Sequence, residues 1–214
     1  CIGALSKLYN LKLSTKDVAE LAYEAEHDVM RIPCGRLDQY TSAFGGVVLI
    51  NTKPPYDVER IPLKALFVVL DSGIRHSTAD IHPRRQEELT RALQILSSLN
   101  LPHELRRFIK IDYYEADWDG MSRAEDMLTP YLNLIESKLR NRILYTLRAH
   151  RSTLLALRIL RNEIISLDEV IQELGLEGER LKELWRRATG EDFNKILLGF
   201  IMAYQHRLLS ELYE

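Results

Sequence analysis

The chain has little of what would assign it at a glance. Among 214 residues there are two cysteines, Cys1 and Cys34. They give no disulfide framework, and a reducing cytoplasm is the natural setting. Long apolar runs are missing: Ala65-Leu66-Phe67-Val68-Val69-Leu70 falls far short of the roughly 20 residues of a membrane-spanning helix. No basic stretch followed by an apolar one marks a secretory signal. Charge of one sign is not in excess, since 29 Lys+Arg stand against 31 Asp+Glu for a formal -2. Without a like-charge block there is neither a nucleic-acid arm nor an acidic tail. Histidine and cysteine never fall at zinc-ligand spacing. Gly45-Gly46 is the only glycine pair, so nothing in this sequence can wrap a triphosphate in backbone amides. The expectation is a soluble, globular, cytoplasmic protein.

What is present is order along the chain. Ile2, Leu5, Leu8 and Tyr9 repeat at helical spacing from the first residues, and a helical run reaches Glu211-Leu212-Tyr213-Glu214. The expectation is a piece of a longer enzyme. Ser14 with Asp17 is a capping-box start, predicting a helix to about Met30. Phe44-Gly45-Gly46 reads as a turn, Val47-Val48-Leu49-Ile50 as a short buried strand, and Lys64 to Asp71 as a second strand. Pro83 suits the first turn of a helix running to about Ser98. From Pro130 the pattern is helical over roughly 130–165, 167–174, 178–188 and 191–212. Leu144, Leu147, Leu154 and Leu157 sit at core spacing with His150 among them. Helix, then strands, then helices predicts an α+β fold with helices on one face of a mostly antiparallel sheet.

Two acids stand out. On a helical wheel Val18, Leu21, Ala22, Ala25 and Val29 cluster toward the core, while Asp17, Glu20, Glu24 and Asp28 face water. Glu26 is the exception, flanked by Ala19 and Ala22. A carboxylate on packed surface is costly unless paired, hydrogen-bonded or bound to a cation. Twelve positions later Asp38 lies in Pro33-Cys34-Gly35-Arg36-Leu37-Asp38-Gln39, a loop that Pro33 and Gly35 shape. Arg36 could keep Asp38 ionised, as a proton acceptor requires. Taken singly, a salt-bridged helix-edge Glu and a turn Asp are the better readings of the two residues.

Taken together, the motifs resemble a family. Ala25-Glu26-His27, Pro33-Cys34-Gly35, Asp38-Gln39 and Phe44-Gly45 are similar to the second half of a galactokinase, whose pattern runs A-E-H, then P-C-G-x-x-D-Q, then F-G. Leu70-Asp71-Ser72-Gly73-Ile74-Arg75-His76-Ser77 and Arg84-Arg85-Gln86 continue the likeness, as do Gly199, Met202, His206, Leu208 and Leu209. The wider family also holds homoserine, mevalonate and phosphomevalonate kinases. The resemblance implies a ribosomal-S5-like N-terminal domain, of which residues 1–60 would be the remainder. A helix-rich, ferredoxin-like C-terminal domain would follow over 61–214.

It also implies ATP as co-substrate and Mg²⁺, held by Glu26 with a motif serine. Asp38 would take or orient the sugar hydroxyl's proton, Gly35 would give a backbone contact to the sugar, and Arg75, His76 and His82 would touch it. The acceptor would be a monosaccharide of galactose, arabinose or galacturonate type. Three family motifs are not in this sequence: P-x-x-x-G-L-S-S-S-A, G-R-x-x-L-x-G-E-H-x-D-Y and G-G-G-x-G-G. Where galactokinases often carry a sugar-contacting tyrosine, this chain has His82-Pro83. Two other classes stay open: a non-catalytic sugar-binding or regulatory protein on the same scaffold, and a DNA-binding helix-turn-helix over 166–190.

Overall fold

The computed structural model describes every residue except 33, 72, 74–77, 176–178, 180, 181, 184, 185, 187–190 and 214. Of 78–80, 82, 191 and 192 it describes the backbone only. The chain divides into two compact units, Cys1–Arg84 and Arg85–Glu214. Mostly helix with one small sheet, it is α+β. No helix among the described residues is long and apolar enough to cross a membrane.

In the first unit, α1 (Ile2–Leu8) leads to α2 (Thr15–Glu24). The Ser14 hydroxyl accepts from the Asp17 amide at 3.1 Å and the Asp17 carboxylate accepts from the Ser14 amide at 2.8 Å. That reciprocal box satisfies donors a helix start leaves bare. The helix ends in a single π turn, Ala25–Val29, closed by Met30 N–H to the Ala25 carbonyl at 3.0 Å. A π turn inserts one residue into the helical ladder and is common at functional positions; this one carries Glu26. Next, α3 (Leu37–Phe44) stops where Gly45 and Gly46 take φ of 67° and 70°, values open to glycine without steric cost. β1 (Val47–Ile50) and β2 (Val58–Ile61) pair antiparallel, Val47 against Ile61 and Ile50 against Val58.

Three local expectations change here. The stretch from Lys64 to Asp71 is no strand: it has no regular secondary structure, and Leu66 and Val69 are 101% and 93% exposed. Its residues have strand propensity, but propensity reports fit to a half-buried pleated surface, and none flanks it among the described residues. Asp38 lies in the first turn of α3 instead of a loop. Finally, α4 (Thr78–Ser98) begins earlier than expected, so Pro83 falls in its second turn.

The second unit holds the rest of α4, then α5 (His103–Arg106), α6 (Trp118–Arg123), α7 (Glu125–Leu132), α8 (Ser137–Leu160), α9 (Leu167–Leu174) and α10 (Glu191–Leu208). A π turn, Leu209–Tyr213, ends it. It is helix-rich as expected, and residues 85–214 include no strand among those described. The S5-like and ferredoxin-like descriptions therefore rest on the resemblance alone. The helix expected over 130–165 is two, broken between Leu132 and Ser137.

One long helix, α8, serves two apolar clusters. Leu139, Ile143 and Leu147 join Leu93, Leu96, Leu105, Met121 and Leu128. Leu155 and Ile159 join Val170, Leu174, Leu197 and Ile201. The buried stripe is thus shifted from the expected one, and Leu154 is exposed. Among these packed residues Arg142 is 2% exposed. Its Nε donates to Glu88 Oε2 at 2.7 Å and its Nη1 to the Leu212 carbonyl at 2.8 Å, while its guanidinium lies 5.3 Å from the Tyr213 ring.

Gly120 in α6 is closely packed. A Cβ there would stand 2.3 Å from a Phe108 ring carbon and 2.6 Å from Asp117 Oδ2, closer than atoms approach without something moving. Gly120→Ala is therefore expected to destabilise by about 1–3 kcal/mol, the usual cost of overpacking. A lowered urea midpoint at unchanged slope would report it, and an unaltered midpoint would show that Phe108 moves freely.

Candidate functional site

The site assembles where the π turn after α2 meets the start of α3. Gln39 is the link. It is 6% exposed, and its Nε2 donates to Glu26 Oε2 at 2.7 Å. The same nitrogen lies 3.7 Å from Cys34 Sγ. Its amide oxygen is buried with no hydrogen-bond partner. Asp38, next in sequence to Gln39, is exposed in the first turn of α3, where the free amide ends of the helix carry positive partial charge. Cys34 reports on both acids: burial first, then the charge of Glu26, pushes its thiol up, and Asp38 adds to the effect against the bond from Gln39. The structure thus gathers Glu26, Cys34 and Gln39 in contact and sets Asp38 beside them.

The two elements are held together by a polar clamp. Arg36 Nε donates to both oxygens of Glu20, at 3.0 and 3.2 Å. Its guanidinium is layered between the rings of Tyr23 at 3.8 Å and Tyr56 at 3.9 Å. The Tyr40 hydroxyl also donates to Glu20, and Tyr40 is wholly buried. Burial works to raise the Glu20 carboxyl, but bonds from Arg36 and Tyr40 outweigh it and hold it below its ordinary 4.5. Burial and the bond to Glu20 push the Tyr40 hydroxyl up to about 12. Planar, always charged and fork-shaped, arginine meets a carboxylate and two aromatic faces at once, which lysine cannot. A helix (α2), the start of α3 and the β1–β2 loop are pinned at one point.

Two sequence readings change as a result. Arg36 is engaged with Glu20 rather than with Asp38. The wheel for α2 also had the faces misplaced: Leu21 is 40% and Val29 79% exposed, while Ala19 is fully buried and Glu20 is half-buried. The face that α2 presents to α3 is polar, so apolar periodicity points away from it.

Gly35 keeps φ outside the left-handed region, and a Cβ there would meet nothing within 4 Å, leaving its backbone open on that side. Arg75 and His76 lie outside the described residues, and of His82 only the backbone, within α4, is described. The stretch that the alternative helix-turn-helix reading would use, 166–190, begins with α9, capped by Gly175 at φ 56°. Arg180 and Arg187 lie outside the described residues, and Lys182 pairs with Glu179 at 3.2 Å. Sequence reasoning missed Gln39, Glu20, Tyr23 and Tyr56. Gln39 alone had a signal, its place beside Asp38 in the motif.

No group of three or more His, Cys, Asp or Glu gathers as a cation cage among the described residues. Glu26 offers a single hard carboxylate, one oxygen of which is fixed by an amide donor. That donor set fits Mg²⁺, which takes one or two protein carboxylates and fills its octahedron with water and phosphate oxygens.

Residues 1–46 match the GHMP kinases N terminal domain, a span that contains Glu26, Gly35, Asp38 and Gln39. The chain is similar to the galactokinase of Thermococcus kodakarensis, 30% identical over 50% of this chain and 35% of that protein. It is similar to the galactokinase of Thermosipho africanus, 29% identical over 50% of this chain and 32% of that protein. The galactokinase of Chloroflexus aurantiacus is 36% identical over 41% of this chain and 24% of its own. The chain thus spans about a third of the length of the first two relatives. No solved structure matches it. Over about half its length the chain is similar to galactokinases.

Proposed function

We propose, from the likeness to galactokinases and the geometry around Gln39, that the protein carrying this chain is an ATP-dependent sugar kinase. One observation carries the proposal: the Gln39–Glu26 bond sets a carboxylate suited to a divalent cation beside the helix start that bears Asp38. Phosphoryl transfer asks a protein mainly for positioning and for neutralisation of charge on the phosphates. Glu26 is the Mg²⁺ acid; the ion, when bound with ATP, neutralises phosphate charge.

Asp38 accepts or orients the proton of the attacking sugar hydroxyl, at C1. The new bond forms between that oxygen and the γ-phosphorus, the bond to ADP breaks, and the hydroxyl proton passes to Asp38. The open backbone at Gly35 contacts the sugar, and Arg75, His76 and His82 contribute from the segment that follows Asp71.

The test is the full-length protein assayed with Mg²⁺, ATP and, in turn, galactose, arabinose and galacturonate. ADP and a sugar 1-phosphate are expected with at least one of them. Sugar binding by calorimetry with no ADP formed would overturn the kinase reading in favour of a sugar-binding regulator.

A further inference from the structure

Gln39 is expensive where it stands. Its side chain is 6% exposed, yet its amide oxygen meets no donor, and a buried unsatisfied acceptor costs about 1–3 kcal/mol. A methionine would fill the same volume without that cost. What the amide gives in return is orientation: both of its N–H groups are directed, one to Glu26 Oε2 at 2.7 Å and one toward Cys34 Sγ at 3.7 Å. A carboxylate demands the nitrogen side of the amide, so the flip of Gln39 is fixed by Glu26 and the oxygen has to face elsewhere. Glu26 itself sits on a π turn, a register shift that takes it off the straight helical ladder and leaves its aim to its partners.

We propose that Gln39 is a positioning residue for the carboxylate of Glu26, fixing one of its oxygens so that the other is presented to the metal ion. The inference rests on the kinase reading of Glu26. It assigns Gln39 a role through Glu26 and not in contact with the reacting atoms. Groups that orient a metal ligand from behind commonly change metal affinity by about 10- to 100-fold when removed.

Mn²⁺ binding to the full-length protein in the presence of ADP, read from the electron paramagnetic resonance signal of free Mn²⁺, tests it alongside the melting temperature without metal. Gln39→Met and Gln39→Asn are each expected to weaken Mn²⁺ binding about 10- to 100-fold. In Gln39→Met the metal-free melting temperature should hold or rise, because the orphaned oxygen is gone. A purely structural role predicts the reverse, a lower melting temperature with Mn²⁺ affinity intact, and that outcome overturns the proposal. So does a loss of affinity that merely follows loss of metal-free stability in both variants. Glu26→Gln separates the levels. If it weakens Mn²⁺ binding while both Gln39 variants leave it unaltered, the positioning role falls and the metal role of Glu26 stands. If Glu26→Gln has no effect, the assignment of Glu26 falls and takes this inference with it.

Discussion

Asp38→Asn in the full-length protein lowers kcat by about 10²- to 10⁴-fold, the usual worth of a general base, and leaves the unfolding curve where it was. The side chain is exposed at the start of α3, so an isosteric amide disturbs little around it. What it removes is a site for the hydroxyl proton. Binding of the sugar should survive, since an amide still accepts a hydrogen bond from the hydroxyl. Rapid-quench or coupled-assay kinetics beside a urea titration would separate the two quantities. Undiminished turnover would remove Asp38 from the chemistry.

Arg142→Ala acts on the other unit and on stability alone. Arg142 joins Glu88 of α4 to the carbonyl of Leu212 from inside the helical packing, its side chain almost wholly buried and that of Glu88 nearly so. Truncating one partner of a buried pair strands the other charge, and such changes cost about 3–5 kcal/mol. Two features place the expected loss at the low end of that range. Lys138 at 2.5 Å and Arg85 at 3.5 Å still neutralise Glu88, and Arg142 already carries one buried nitrogen, Nη2, without a partner. Chemical unfolding of the variant measures it. A loss below about 1 kcal/mol, the scale of a surface substitution, would mean that the remaining cations suffice.

The elements legible in the sequence were those set by local chemistry. Ser14 and Asp17 announced a helix start that the backbone alone nearly dictates, and Gly45-Gly46 announced a turn because positive φ favours glycine there, although the helix that ends at it, α3, was read as a loop. Val47 to Ile50 was readable as a strand from its own run of aliphatic residues, though it is half-buried and its partner, Val58 to Ile61, went unread. Lys64 to Asp71 has a stronger strand composition and is unpaired, since pairing depends on what flanks it and not on its own residues.

The candidate site was half legible. Glu26 and Asp38 could be named, because unusual carboxylates in a recognisable pattern carry a signal. The contact between their elements could not, because it runs through Gln39, Arg36, Glu20 and Tyr40, and hydrophobic periodicity has no entry for a polar interface. That is also why the wheel turned α2 the wrong way.

The stack around Arg36 has a consequence for acid tolerance. The guanidinium stays protonated throughout, and Tyr40 loses its proton only far on the alkaline side. Glu20 is the clamp's weak member toward acid. Its carboxyl is held below 4.5 in the folded chain, so the stabilisation it supplies is full above that value and drains away as pH falls through the lower, folded one. Acidification should therefore loosen the joint between the two acid-bearing segments before the apolar clusters of the other unit give way, and it would do so by neutralising Glu20 and not either of those acids.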